Sequence, residues 1–139
     1  MKQLTVLIEN RPGRLEDITE ILTRYNINII CMSLSDTSEY GMLRMIVSQP
    51  ALAQEKLSQE GFSPILTDVC AVKIQHHFGS LNKMTAVISE NGLDIKYMYA
   101  LNSGENAALV IKTADNDLLE KVLAENGMEL LPAVEVYNM

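Results

Sequence analysis

Apolar and polar residues alternate along residues 3–8, so that Leu4, Val6 and Ile8 share one face. Alternation with a period of two predicts a β-strand that is buried on one side. The next apolar residues recur every three to four positions, at Leu15, Ile18, Leu22 and Tyr25. This longer period predicts an amphipathic helix that packs on the strand.

The pattern continues to about residue 69. Further strands are predicted at about 28–35, 42–47 and 63–69, and a short helix at about 50–60 that Gly61 ends. A turn is predicted at 36–41. The order β-α-β-β-α-β is that of the ferredoxin-like fold, an antiparallel sheet with both helices on one face.

The second half of the chain repeats the first. Gly13 aligns with Gly79, and this offset of 66 positions holds without a gap. Most of the aligned positions are apolar or glycine, so the halves share a core and its turns. We therefore predict an α+β protein of two tandem ferredoxin-like βαββαβ repeats, with domains at 1–68 and 69–139.

The helix-free face of each sheet is expected to differ between the repeats. In the first it would carry the apolar residues Leu7, Ile30, Met32, Leu34, Met42 and Ile46. In the second it would carry Lys73, Lys96, Met98, Ala100, Ala108 and Lys112, a more solvated set. An error of one residue in strand phase would exchange the faces. With the phase as predicted, the first repeat presents an interface.

Composition narrows the possible partners. The chain has 139 residues, 11 basic and 18 acidic, and a net charge of -7. Such acidity argues against nucleic acid or an anionic membrane as a partner. No membrane span or signal peptide is recognised, and Cys31 and Cys70 suggest reduced, buried thiols. We expect a cytoplasmic protein that uses no cofactor.

The segment ENRPGRL, residues 9–15, joins the first strand to the first helix. The first N–H groups of a helix have no partner within it, and the helix dipole is positive there. Gly13 allows a ligand to approach the backbone closely. The segment is therefore either a plain turn or a site for a carboxylate or phosphate.

The second repeat has His76-His77-Phe78-Gly79 at the corresponding place. Adjacent residues of a strand point to opposite faces, so the two histidines would chelate one ion poorly. A metal site, a contact of His76 with a bound ligand, and an unoccupied surface turn are the three alternatives. We predict no metal site.

The run LTVLIENRPGRLEDITEILTRYNINI resembles an ACT domain, a small regulatory module that binds amino acids in many metabolic enzymes. The resemblance implies the same βαββαβ fold and a ligand held where two domains meet. The loop of one domain and the start of the second strand of its neighbour would share that ligand. Asn10 and Asn28 match two asparagines of serine-binding ACT domains, but Ile8 stands where those domains have a histidine.

This resemblance gives the expected binding residues. In the first repeat they are Asn10, Arg11, Pro12, Gly13, Arg14, Leu15, Asn28 and Ile29. In the second they are His76, His77, Phe78, Gly79, Ser80, Leu81, Asp94 and Ile95. No catalytic residue is predicted. We expect a non-catalytic, allosteric amino-acid-binding protein that forms a homodimer.

Two other functions remain open. VLIENRPGRL also resembles the start of the small regulatory subunit of acetolactate synthase, which implies a separate enzyme as partner. The fold is also that of acylphosphatase-like enzymes, in which Arg11, Arg14 and Asn28 could act on phosphate. The glycine-rich phosphate loop of those enzymes is absent, so this alternative is the weaker one.

Overall fold

A computed structural model describes residues 1–36, 39–103 and 106–139. The first half contains four strands and two helices. In order they are β1 (Lys2–Glu9), α1 (Arg14–Arg24), β2 (Ile29–Asp36), β3 (Tyr40–Val47), α2 (Pro50–Gln59) and β4 (Ile65–Asp68). The turn predicted at 36–41 includes Thr37 and Ser38, which lie outside the described residues.

The second half contains three strands and three helices. In order they are β5 (Cys70–Ile74), α3 (Ser80–Glu90), β6 (Tyr97–Ser103), β7 (Asn106–Lys112), α4 (Asn116–Glu125) and α5 (Ala133–Tyr137). The chain divides into two compact units, one of residues 2–67 with 136–139 and one of Met1 with 68–135. The α+β class and the antiparallel sheets are as predicted.

The first unit is a four-stranded sheet in the order β2-β3-β1-β4, with both helices packed on one face. Leu4, Val6 and Ile8 of β1 are buried, as their alternation predicts. They pack with Ile18 and Leu22 of α1 in one apolar core. This core holds the end of β1 and the start of α1 in place, and therefore the loop between them.

The predicted phase of β2 is wrong. The register shifts between Ile29 and Cys31, as at a β-bulge, and Leu34 then lies opposite the core residue Leu43. Residues directly opposite each other share a face, so Met32 and Leu34 lie on the helix side and not on the open side. Leu34 is still 50% exposed, because β2 is at the edge of the sheet. One inserted residue was enough to invert the face.

The second sheet has three strands in the order β5-β7-β6. Met98 lies opposite Ile111, which belongs to the core under the helices, so the predicted phase of β6 is also wrong. The helix-free face carries Leu101 and Val110, exposed by only 1% and 0%. The expectation of a solvated face on the second repeat is therefore incorrect.

Within the described part of the second repeat, the fourth strand that the sequence predicts does not form. Residues 129–131 follow β5 for a short distance, with one β-bridge between Val72 and Leu130 and a bond from the Leu131 N–H to the Ala71 carbonyl. Pro132 comes next, and it has no N–H to donate to a ladder. The chain then turns into α5, where the Tyr137 hydroxyl bonds to the backbone of Lys2.

Both cysteines are free thiols. Cys70 is buried in the second core, and burial raises its pKa to about 12. Cys31 on β2 is only half-buried, and burial raises its pKa to about 11. A raised thiol pKa lowers the thiolate fraction and so the reactivity at neutral pH. Among the described residues, no helix is long and apolar enough to cross a membrane.

Candidate functional site

The loop between β1 and α1 ends in a glycine with a left-handed backbone. Gly13 has φ 89° and precedes the first residue of α1, and no side chain caps the helix. The N–H of Arg14 reaches the Arg11 carbonyl at 3.5 Å, and the N–H of Asp17 reaches the Gly13 carbonyl at 2.9 Å. Within the described residues, the N–H groups of Leu15 and Glu16 have no hydrogen-bond acceptor. They are available donors at the start of the helix, as expected for the first turn.

Asn10 is held at the end of the sheet. Its Nδ2 donates to Asp36 Oδ1 at 2.6 Å, and its backbone N–H donates to the Glu39 carbonyl at 3.3 Å. A Cβ on Gly41 would lie only 3.2 Å from Asn10 Oδ1. Glycine at position 41 therefore leaves room for the amide of Asn10. Asp36 and Gly41 are contacts that the sequence analysis missed.

The two arginines of the loop have different surroundings. Arg11 is exposed and its Nε pairs with Glu9 Oε2 at 2.7 Å. Arg14 lies over the ring of Phe62, with its Cζ 4.5 Å from the ring centre, and pairs with Asp17 at 3.1 Å. The Nε of Arg14 is buried with no hydrogen-bond partner. Arg14 is thus part of the packing between α1 and the segment that follows α2, and its contact with a ligand stays a prediction.

Asn28 and Ile29 lie at the opposite end of the sheet from this loop. Glu9 pairs with Tyr40 at the start of β3, whereas Ile29 pairs with Val47 at its end. Positions 40 and 47 are seven residues apart, or roughly 23 Å along a strand. The first unit by itself therefore does not bring the loop and Asn28 together. Nor does it assemble the arginines and Asn28 as a phosphate site.

The backbone of the second loop is like that of the first, but its side chains differ. Gly79 has φ 86° and precedes α3, and the N–H groups of Leu81 and Asn82 have no acceptor in the described part of the chain. His77 is held at both ring nitrogens, with Nε2 2.9 Å from Gln75 Oε1 and Nδ1 2.8 Å from Ser80 Oγ. Nδ1 also lies 3.1 Å from the Phe78 carbonyl oxygen, so the tautomer of His77 decides in which of these contacts it donates.

The remaining predicted residues of this repeat are spread out. His76 is exposed, and so is the whole side chain of Phe78. Together with Leu81 they line an open depression of about 420 Å³. Asp94 is exposed and pairs with Lys96 at 3.0 Å, and Ile95 packs against the core. They precede β6, whose first residue pairs with the last residue of β7, at the other end of the sheet from the loop.

A second groove lies beside the loop, between the start of α3 and the end of α4. Its volume is about 270 Å³, and Ser80, Lys83, Met84, Met128 and Glu129 line it. Glu129 pairs with Lys73 and raises the pKa of that lysine above its ordinary value. The sequence analysis overlooked this groove. The internal alignment could have indicated it, because Ser80 and Met128 replace Arg14 and Phe62.

No group of three or more His, Cys, Asp or Glu residues is arranged to hold a metal ion in the described segments. The site therefore consists of backbone donors, amides, hydroxyls and a few charged side chains. Such a set can bind a small polar molecule through hydrogen bonds. It contains no arrangement of nucleophile and base that we recognise as catalytic.

Each of the two ferredoxin-like repeats begins its first helix at a glycine-bearing loop. A family model described as "ACT domain pair" matches residues 1–139. The chain therefore belongs to the family of ACT domain pairs.

Solved structures support the same fold. The crystal structure of protein BT0572 from Bacteroides thetaiotaomicron is 34% identical, with a TM-score of 0.93 over 99% of this chain and 96% of that one. The regulatory subunit of aspartate kinase from Thermus thermophilus is 15% identical, with a TM-score of 0.64 over 89% of this chain and 91% of that one. At that identity the likeness shows the fold alone. No curated protein sequence matches the chain.

Proposed function

We propose that this chain is a non-catalytic regulatory protein that binds a free amino acid, with ACT domains at residues 1–68 and 69–139. The observation that carries the proposal is the start of α1, where the N–H groups of Leu15 and Glu16 have no acceptor among the described residues. These donors suit a carboxylate at the positive end of the helix. Gly13 has no side chain to block the approach.

The ammonium of the ligand needs oxygen acceptors. The side chain of Asn28 has no hydrogen-bond partner within the described residues, and its amide oxygen could serve. Because Asn28 lies roughly 23 Å from the loop in the same unit, it would have to come from another ACT domain. We place the site between copies of this chain in a homodimer. A ligand there would favour one arrangement of the subunits by its difference in affinity.

The first experiment is a thermal-shift screen against the twenty amino acids at millimolar concentration. A ligand at 100 times its Kd adds about 2.7 kcal/mol to the free energy of unfolding. At about 4 to 8 °C per kcal/mol, that is a rise in melting temperature of roughly 10 to 20 °C for domains of this size. We expect one or two chemically related amino acids to raise the melting temperature. The absence of any such shift would contradict the proposal.

Two variants test the loop. Asn10→Ala and Gly13→Val should each weaken the binding of the amino acid found in the screen by at least tenfold. Gly61→Val is the matched control for Gly13→Val, because Gly61 has φ +91° and also no atom within 4 Å of an added Cβ. It applies the same backbone strain away from the loop. Equal affinities in Gly13→Val and Gly61→Val would show that the loop does not bind the ligand.

Mixing two defective variants tests whether the site lies between subunits. Asn10→Ala and Asn28→Ala homodimers should both bind weakly. In a heterodimer of the two, one site receives both substitutions and the other receives neither. Co-expressed chains with different tags should therefore recover one full-affinity site per heterodimer. No recovery would mean that Asn10 and Asn28 do not share a ligand across subunits.

The alternative is a regulatory subunit for a separate amino-acid biosynthetic enzyme. The observation that favours it is the exposure of Leu34 and Met32, at 50% and 40%, which share one face of the edge strand β2. Exposed apolar side chains of this size are common at protein interfaces. Pull-down with tagged chain from native extract tests it. A stoichiometric metabolic enzyme would support this alternative, and a homodimer alone would favour the free-standing sensor.

A further inference from the structure

The two repeats use the space between their helices differently. In the first repeat, the guanidinium of Arg14 lies over Phe62 and pairs with Asp17. Arg24 pairs with Glu60 at 3.1 Å and with Glu20 at 3.4 Å beside it. Two arginines and three carboxylates surround this space of about 200 Å³, and both arginines are paired. Among the described residues around it, no unpaired cation is available to a ligand.

In the second repeat, the corresponding space is an open groove of about 270 Å³. Ser80 stands at the position of Arg14, Met128 at that of Phe62, and Lys83 at that of Asp17. The ammonium of Lys83 makes no ion pair or hydrogen bond with any residue in the described part of the chain. Since Lys73 and Glu129 pair with each other, the groove has one unbalanced positive charge in a protein of net charge -7.

The groove also has distinct polar and apolar parts. The ammonium of Lys83 is the donor available to a ligand, and the Ser80 hydroxyl, which contacts His77 Nδ1 at 2.8 Å, adds a second polar group. Met84 and Met128 supply an apolar surface. Glu129 keeps acceptor capacity beyond its bond to Lys73, because a carboxylate has about four lone-pair sites. The cation, the apolar surface and the carboxylate of the groove are complementary to the carboxylate, the apolar side chain and the ammonium of an amino acid.

We propose that this groove, lined by Ser80, Lys83, Met84, Met128 and Glu129, is a second binding site specific for an apolar α-amino acid. It rests on the proposed function for its ligand class. Unlike the loop site, it is formed within a single repeat and needs no residue from another copy. The first repeat has no equivalent, because Arg14 occupies the place.

The test uses the full chain labelled with 13C at the methionine methyl groups. The probes are L-valine, L-leucine, L-isoleucine and L-methionine, with the 2-oxo acid of leucine and leucine amide as the two half-ligands. We expect one of the amino acids to shift the methyl signals of Met84 and Met128, assigned by single substitution to leucine. The signal of Met45 in the first core should stay in place. Each half-ligand should bind at least tenfold more weakly.

Three variants complete the test. Ser80→Arg introduces the arginine that stands at the aligned position 14 of the first repeat. Its side chain should fill the groove and abolish the shifts of the Met84 and Met128 methyl signals. Lys83→Gln removes the unpaired cation and should weaken binding about three- to fivefold, in the range of an exposed ion pair. Lys121→Gln on α4 removes the same charge outside the groove and should have no effect.

The outcomes separate this proposal from the proposed function. Binding that leaves Met84 and Met128 unshifted, or that survives Ser80→Arg, would overturn the groove site and leave the loop site standing. Equal binding of the 2-oxo acid would overturn the assignment to an amino acid. If none of the four amino acids binds but another one stabilises the protein in the thermal screen, the groove proposal alone fails.

Discussion

The loops before α1 and α3 have nearly the same backbone and different side-chain chemistry. Gly13 and Gly79 have φ values of 89° and 86°, and the first turn of the helix after each has N–H groups without an acceptor among the described residues. In the first loop, the arginines pair with acids of their own repeat. In the second, the charged Lys83 is unpaired within the described residues and a groove is open beside it.

This difference shows that a duplicated backbone can keep a binding geometry while its side chains diverge. The left-handed glycine and the helix start depend on the backbone, so they are retained in both repeats. The neighbouring space depends on two side chains, which are Arg14 and Phe62 in one repeat and Ser80 and Met128 in the other. A ligand that contacts backbone alone would find both loops similar, whereas one that enters the groove would choose the second.

The largest expected effect tests the packing of the first repeat. Phe62→Ala should lower the free energy of unfolding by about 3 kcal/mol or more, since the ring is 8% exposed and belongs to the core. Met128→Ala should cost less, because Met128 is half-buried beside an open groove. Urea unfolding of both variants gives the comparison. An equal or greater cost for Met128→Ala would mean that the groove is as tightly packed as its counterpart.

The dependence of stability on pH above 9 should differ between variants of the two cysteines. Burial raises the pKa of Cys70 to about 12 from an ordinary value of 9.0, so between these values the unfolded thiol ionises and the folded thiol does not. Stability contributed by the protonated thiol is complete below pH 9 and is lost as the pH rises towards 12. The loss is about 1.4 kcal/mol per pH unit at most. Stability measured at pH 8 to 11 should fall less steeply in Cys70→Ala.

Cys31 is the control for this measurement, since it lies half-buried on an edge strand of the other repeat. Solvent screens part of its effect, so Cys31→Ala should flatten the pH dependence less than Cys70→Ala does. Identical slopes for the wild type and Cys70→Ala would contradict the assignment of Cys70 to a closed core.

The glycines should give equal effects in the two repeats. Gly13→Ala and Gly79→Ala each place a Cβ in the left-handed region, with no atom within 4 Å of it. The cost is therefore backbone strain alone, about 1 to 2 kcal/mol in each variant. Thermal unfolding should give the same shift for both. A clear difference would show that the two loops are not equivalent in backbone, contrary to the comparison.

The sequence was sufficient for the fold and for the position of the two loops. Apolar periodicity gave the strands and helices of the first repeat, and the internal alignment carried them to the second. The predicted strand phase was wrong for β2 and β6. In β2, one residue at a bulge inverts the strand face, and no composition signal marks the bulge between Ile29 and Cys31. The prediction also failed for the last strand, where three residues beside β5 are followed by Pro132.

The side-chain contacts of the loops were beyond the reach of the sequence. Local spacing could place Arg14 at a helix start, but the ring beneath it comes from Phe62, after the next helix. The same holds for Asn10, whose partner Asp36 is 26 positions away. Such contacts depend on how the elements pack and not on the periodicity of any one of them.

The smallest expected effect on stability is that of replacing Arg14, which tests whether its guanidinium stabilises the first repeat. Its ion pair with Asp17 is partly exposed, and its buried Nε lacks a hydrogen bond. An exposed pair contributes about 0.2 to 1 kcal/mol, and an unsatisfied buried donor costs about 1 to 3 kcal/mol. Arg14→Met keeps a long side chain on the ring of Phe62 and removes that donor, and sulfur packs favourably on aromatic rings. The free energy of unfolding should therefore fall by less than about 0.5 kcal/mol, or it should rise.

Urea unfolding of Arg14→Met, with Arg11→Met as the control for an exposed loop arginine, measures this. A loss well above 1 kcal/mol would show that the guanidinium itself stabilises the first repeat. An unchanged or higher stability would mean that a methionine fills the space as well as the arginine does. Stability alone would then not require an arginine at position 14. The difference between Arg14 and the aligned Ser80 would instead affect what each repeat can bind.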